Sequence, residues 1–442
     1  MSSHRLFTDD FKTTPYWWDR TPRPENVDQA LPDAADVVII GSGYTGLSAA
    51  IQTAQQGLHT VVVDAEQAGW GCSSRNGGQV STSLKPTFQE LSKKFSADKA
   101  LEIIREGHNA MDWIRGFIAD NNIDCDYHET GRFHAAHDAY HYDWLKHRIE
   151  SQPKEFKVDA RMIPVDQQQE EIGSETYHGG AVFPYHASID PARYHQGMLR
   201  CALDAGVHIT GNCRVNDISR SQSIFKVATE KGEIRAKHVI VATSGYTSRT
   251  TPWQQRRVIP IGTYMIATEP LPEEQMDRLI PNNRVITDTR KLVVYYRNCP
   301  ERKRILFGGR VSLNETNPQI SGPRLHHELR NRFPELENTR ISHSWMGFVG
   351  YTFDEMPHLG VHDGVHYCMG YCGAGISLAS YFGACIGRQV VGNPEGKTGL
   401  DSTPFEGRFY YRGNPWFLAP SIFYYRWRDE LLSRVRGIRQ AK

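Results

Sequence analysis

The most regular apolar run in the chain is Val37-Val-Ile-Ile40, which leads straight into Gly41-Ser-Gly-Tyr-Thr-Gly-Leu-Ser-Ala-Ala50. An unbroken β-branched run reads as a strand buried on both faces. The glycines end it, and the small and apolar residues that follow open a helix. A second run, Thr60-Val-Val-Val63, ends at Asp64 and reads as the next strand. Residues 36 to 64 therefore predict one βαβ unit.

Periodicity carries the reading onward. Apolar spacing through Leu91, Phe95, Leu101, Ile104, Met111, Ile114 and Phe117 predicts helix over 87–122. Short strands and turns fill 123–189. Asp190 before Pro191 predicts a capped helix to Ala205. Strands follow at 207–209, 224–228 and 237–243, then an alternating stretch over 256–345 with one helix near 322–333. A strand at 364–369, a glycine turn at 370–375 and a helix at 376–391 repeat the opening signature. A chain that leaves the first sheet, builds a second domain and returns explains the separation. The fold class is α/β.

Gly41, Gly43 and Gly46 fit the GxGxxG spacing, and Asp64 stands at the end of the next strand, where an acid accepts ribose hydroxyls. The phosphates would meet the helix N-terminus. The unit suits NAD or FAD equally. A nicotinamide co-substrate needs a second such unit, and the turn at 370–375 lacks the acid.

Composition narrows the partners. The 442 residues carry 51 Lys plus Arg against 50 Asp plus Glu, so no global field draws nucleic acid. No apolar run reaches the ~20 residues of a membrane span. The N-terminus lacks a secretory core, and eight scattered cysteines suggest a reducing cytoplasm. No metal site is expected, because Cys368 and Cys372 lack a second ligand pair.

Five motifs in order carry a resemblance. They are Gly41-Ser-Gly-Tyr-Thr-Gly-Leu-Ser48, Cys72-Ser-Ser-Arg-Asn-Gly-Gly-Gln79, Val239-Ile-Val-Ala-Thr-Ser-Gly245, Trp345 to Gly360, and Met369-Gly-Tyr-Cys-Gly-Ala-Gly375. The chain resembles the FAD-dependent amine and amino-acid oxidoreductases of the D-amino-acid oxidase superfamily. Within it, the chain looks most like bacterial amine oxidases of the γ-glutamylputrescine oxidoreductase type. The resemblance implies a Rossmann-like FAD-binding domain over 36–90, 190–255 and 343–395. It also implies a substrate domain with a large mixed sheet over 91–189 and 256–342. An N-terminal arm (1–35) and a C-terminal tail (396–442) flank them.

Carried over by motif, Gly41, Ser42, Gly43, Tyr44, Thr45 and Gly46 would cradle the pyrophosphate, with Asp64 and Ala65 at the ribose. Ser73, Ser74, Arg75, Asn76, Gly77, Gly78 and Gln79 would run along the pyrophosphate and flavin. Val215 would meet the adenine. Thr243, Ser244 and Gly245, with Gly373, Ala374, Gly375 and Ile376, would complete the site. A helix N-terminus at the flavin's pyrimidine end would stabilise the reduced, anionic cofactor.

The resemblance also implies the reaction: hydride leaves the carbon next to an amine nitrogen, the imine hydrolyses, and O2 or another acceptor regenerates the flavin. Val349 stands where relatives carry an arginine clamp or a cysteine bonded to the flavin. Ser377 stands where others carry a lysine. These departures predict non-covalent FAD and a reacting carbon without a carboxylate, as in a polyamine or its γ-glutamyl conjugate. Tyr264, Tyr296, Trp345 and Val349 are the expected catalytic walls. Only one of Tyr295 and Tyr296 can face the flavin. Glu129 and Asp354 are weaker candidates for a distal ammonium. A flavin dehydrogenase of an N-substituted amino acid or aminophosphonate is the alternative. The protein is expected as a monomer or homodimer. The amphipathic, basic stretch 421–436 would dock on the body or lie on a membrane.

Overall fold

The computed structural model describes residues 6–23, 27–156, 159–312, 315–425 and 427–428. Strand Ala34–Ile40, helix Tyr44–Gln55 and strand Thr60–Val63 form the expected βαβ unit. They sit in an eight-stranded sheet. Its parallel centre runs His208–Thr210, Thr60–Val63, Ala34–Ile40, Gly232–Val241 and Val365–Met369. Val37, Ile39 and Val62 pack into one core cluster, while Val38, Ile40, Val61 and Val63 pack into another on the opposite face. That two-sided burial is why these strands read as solid apolar runs.

Helices Tyr44–Gln55, Ala97–Asp120, Pro191–Asp204 and Gly375–Val390 share the first of these clusters. Asp190 caps the third as expected, its Oδ1 accepting the N–H groups of Ala192 and Arg193. The helix expected over 87–122 is two helices, Phe88–Lys94 and Ala97–Asp120. Ser96 ends the continuity because its side chain caps the second helix at Lys99 N–H.

The second sheet has nine strands. Its order is Phe7–Lys12, Ile341–Tyr351, Ile259–Thr268, Ile305–Gly309, Val294–Asn298, Val285–Asp288, Arg132–Ala135, Gly180–Phe183 and Arg161–Ile163. Three segments sit differently from the sequence reading. The strand Ile341–Tyr351 lies wholly in the nine-stranded sheet, although it crosses into 343–395. Helix Ala97–Asp120 packs with the nucleotide-sheet helices. The N-terminal arm supplies an edge strand, paired at Phe7↔Ile341, and a fully buried Trp17.

Of the tail, Tyr411 donates to Val258 O (2.8 Å), and Phe353 packs against Tyr410, Tyr411 and Phe417. Residues 429–436 of the amphipathic stretch lie outside the described residues. No helix among the described residues is long and apolar enough to cross a membrane.

Candidate functional site

The turn after Ala34–Ile40 is built by close approach. A Cβ on Gly46 would lie 1.8 Å from Gly41 O, so only glycine lets helix and strand meet there. A Cβ on Gly43 would reach Ser73 Oγ at 2.9 Å, filling the space a phosphate needs. The helix opens at Tyr44 with no acidic residue in its first turn, so no carboxylate competes with an anion at its N-terminus. Asp64 Oδ2 accepts Ser42 N–H (2.7 Å) and Ser42 Oγ–H (2.6 Å), and Oδ1 accepts Glu66 N–H (3.0 Å). Burial pushes the Asp64 carboxyl up, against the downward pull of Ser42. His195 supports the turn from beneath, donating from Nε2 to Ser42 O at 2.8 Å.

The loop from Cys72 to Gln79 is held by tryptophans. Trp345 Nε1 donates to Arg75 O (2.8 Å), Trp17 Nε1 to Asn76 O (2.9 Å) and Trp18 Nε1 to Ser74 Oγ (2.8 Å). The Arg75 guanidinium lies over the rings of Trp18 and Trp70, 4.6 and 4.2 Å from their centres. Trp17 and Trp18 of the N-terminal arm therefore prop the loop, a role the sequence did not signal. Ser73 Oγ accepts Tyr44 N–H (3.0 Å), which joins the loop to the glycine turn.

A cavity of 1710 Å³ lies between the two sheets. It exceeds the ~300–1,000 Å³ of ordinary ligand pockets, as a site for a dinucleotide and a substrate must. Gly41, Gly43 to Thr45, Asp64, Ala65, Ser73, Arg75 to Gly77, Gln79 and Val215 line it. So do Thr243 to Gly245 and Gly373 to Ile376. Ser42, Gly46, Ser74 and Gly78 stand behind that wall and shape it. Ser42 is tied to Asp64, Ser74 donates to Gly69 O, and Gly78 O accepts from Arg297.

The substrate side needs correction. Ile259, Ile261, Thr263 and Met265 face the cavity, so Tyr264 points away. Its hydroxyl donates to Glu315 Oε2 (2.8 Å) and accepts Thr316 N–H (3.0 Å). Tyr296 is likewise on the far face, bonded to Tyr177 Oη (3.0 Å) and stacked on Phe307. Its neighbour Tyr295 faces the cavity and shares a 2.6 Å hydrogen bond with Thr263 Oγ1. Trp345 and Val349 do line the cavity.

Glu129 and Asp354 do not reach the cavity. The first pairs with Arg115 (2.6 Å), the second with His358 and Lys94 (3.0 Å each). The Ser377 hydroxyl is turned to Ser81 O at 2.9 Å. Residues missed from sequence include Tyr246, Tyr351, Lys85, Arg132 and Arg148, with Phe417, Ile422 and Tyr425 of the tail, all on the cavity wall. Apart from Tyr351, which lies within the Trp345 to Gly360 motif, they fall outside the five motifs, so only the tertiary fold gathers them.

Beside the cavity, which His141 lines, His137, Asp138 and His141 bring three ligating atoms within 4.8 Å of one another. Helix capping by Asp138 and the bond from His137 to Thr289 (2.7 Å) account for that arrangement.

The glycine cradle, the acid at the second strand and a second helix N-terminus at Gly375 fit FAD. Residues 36–389 match the family described as FAD dependent oxidoreductase. The chain belongs to that family. It is similar to γ-glutamylputrescine oxidoreductase of Escherichia coli K12, at 30% identity over 90% of this chain and 93% of that protein. It is also similar to the probable oxidoreductase OrdL of Haemophilus influenzae, at 28% identity over 82% of this chain and 84% of the other. Glycine oxidase from Geobacillus kaustophilus shares the fold, with a TM-score of 0.70 at 17% identity over 86% of this chain and all of that one. The enzyme is thus an FAD-dependent oxidoreductase, with Gly41 to Gly46, Asp64 and the Cys72–Gln79 loop as the residues that would hold the cofactor.

Proposed function

We propose that this flavoenzyme oxidises a primary or secondary amine of the polyamine or γ-glutamyl-polyamine type to an imine that hydrolyses to an aldehyde. The reading rests on one observation: Val349 lines the cavity wall where relatives place a clamping cation, and Ser377 is turned away to Ser81. No clamp therefore stands there for a carboxylate on the reacting carbon. The 30% identity to a γ-glutamylputrescine oxidoreductase supports the substrate class.

FAD held by the glycine turn and the Cys72–Gln79 loop would supply the hydride acceptor. The chain's own residues position the amine. Tyr295, its hydroxyl fixed by Thr263, and Trp345, its indole fixed on Arg75 O, form a rigid aromatic wall. Such a wall favours a cationic or freshly neutral amine nitrogen and limits its orientations. Phe417, Ile422 and Tyr425 of the tail help keep water out.

The same wall supports non-covalent attachment. Val349 offers no nucleophile, and burial pushes the Cys72 thiol up to about 11, away from the reactive thiolate. The free state of all eight cysteines suits a cytoplasmic enzyme.

Anaerobic mixing with an amine panel tests the reading. Polyamines or their acyl conjugates should bleach the flavin, and air should then yield peroxide. Bleaching by α-amino acids alone overturns it. Acid precipitation should leave the pellet colourless.

A further inference from the structure

The cavity holds positive charge that nothing in the proposed reaction uses. Arg132 begins the strand Arg132–Ala135, Arg148 lies in the last turn of helix Ala139–Glu150, and Lys85 sits in the loop after Gln79–Val80. All three line the cavity. Arg148 Nη2 donates to Lys85 O (3.3 Å), which ties helix to loop. Arg132 lies over Phe183, 4.9 Å from the ring centre, and its Nε is buried without a hydrogen-bond partner.

Among the described residues none of these three cations has an ion-pair partner. The neighbouring acids are engaged elsewhere. Glu90 lies near enough to act on Arg148 but closes the capping box at Thr87, Glu355 acts on Lys85 but pairs with Lys291 (3.2 Å), and Asp288 pairs with Arg290 and Arg332. The adjacent imidazoles do not compensate. Burial, with Arg132 next, holds His134 and His186 well below their ordinary range, so both stay neutral.

Arg132 and Arg148 are half-buried and Lys85 is exposed at the edge of the group. Clustered cations, the two half-buried ones above all, cost energy unless an anion joins them. Burial, and after it the charge of Arg148, push the Arg132 guanidinium down to about 10. The cradle for the pyrophosphate, at Gly41 to Thr45 and Ser73, belongs to the eight-stranded sheet and its loops, whereas Arg132 stands in the nine-stranded sheet. That division assigns the second anion to the substrate. A free polyamine carries only positive charge and would be repelled.

We propose that Arg132, Arg148 and Lys85 form a carboxylate subsite for the end of the substrate remote from the reacting amine. The preferred substrate is then an N-acylated diamine whose acyl part bears a carboxylate, over a free diamine or polyamine. Guanidinium groups suit a planar, bidentate carboxylate. The assignment of the substrate rests on the amine-oxidase reading above; the assignment of the anion site does not.

The experiment uses the FAD-loaded enzyme in two arms. In the first, glutarate is titrated into the oxidised holoenzyme and binding is followed by calorimetry and the flavin difference spectrum. Saturable binding is expected, weakened about tenfold or more in Arg132→Gln and in Lys85→Gln. The flavin spectrum and far-UV CD of each variant report its folding, and Lys85 in its loop serves if Arg132→Gln folds poorly.

In the second arm, kcat/KM is compared for N-glutarylputrescine and neutral N-acetylputrescine. The wild-type ratio should favour the glutaryl compound at least tenfold, and both variants should move the ratio toward one. No glutarate binding to the wild type, a wild-type ratio near one, or a ratio unmoved in both variants overturns the proposal. Glutarate binding without oxidation of any amine would instead sink the amine reading and leave the anion subsite standing.

Discussion

Individual residues around the glycine turn do separable jobs. Asp64 holds Ser42 through two bonds and offers its remaining capacity to the cavity. Asp64→Ala should weaken FAD binding by about 10- to 100-fold, as expected for hydrogen bonds to a charged group. Titration of apoprotein with FAD measures this, and unchanged affinity would contradict the role. Gly46→Ala forces a methyl into Gly41 O. It should cost at least about 1–3 kcal/mol of stability, read by thermal unfolding.

His195, beneath the same turn, adds a pH dependence. Burial holds its imidazole down to about 4, whereas the unfolded chain titrates near about 6.5. Between those values the unfolded state binds a proton that the folded state does not. The stability is therefore complete above about pH 6.5 and is lost as pH falls toward about 4. His195→Gln keeps an N–H donor without the titration. Its stability should drop about 2 kcal/mol less than wild type between pH 7 and 5. Denaturant melts at the two pH values check this, and equal drops would refute it.

At the scale of elements, the strand phase decides which side chains face chemistry. The sequence showed that Tyr295 and Tyr296 oppose each other, but alternation alone does not say which face carries the core. The contacts of Tyr177, Phe307 and Phe333 with Tyr296 settle that. Tyr264 was misread for the same reason. The βαβ unit was legible because buried parallel strands and glycine close approach both leave marks in the sequence. The break at Ser96 was not, since apolar spacing ran across it and only the cap reveals it.

The phase yields a paired prediction. Tyr296→Ala should cost about 3–5 kcal/mol of stability while FAD affinity stays near wild type. Tyr295→Phe should keep stability within about 1 kcal/mol, the scale of one hydrogen bond, and lower kcat/KM for amines. Reversal of the two phenotypes would mean that the faces are exchanged.

At the scale of the whole molecule, one cavity is assembled from segments far apart in the chain. The N-terminal arm props the Arg75 loop through Trp17 and Trp18, and the tail closes over the other side through Phe417, Ile422 and Tyr425. Docking of the tail on the body was one of the two sequence expectations, but neither segment carried a motif that placed it at the cavity. The cofactor cradle itself lies in the first sheet and its loops, and the tail supplies none of it. Ending the chain after Gly413 should therefore leave FAD bound while exposing the cavity. Iodide should then quench flavin fluorescence several-fold more strongly, and KM for amines should rise. If quenching is unchanged, the tail does not cover the cavity. If FAD is lost as well, the cradle depends on the tail and the division of labour drawn from the fold is wrong.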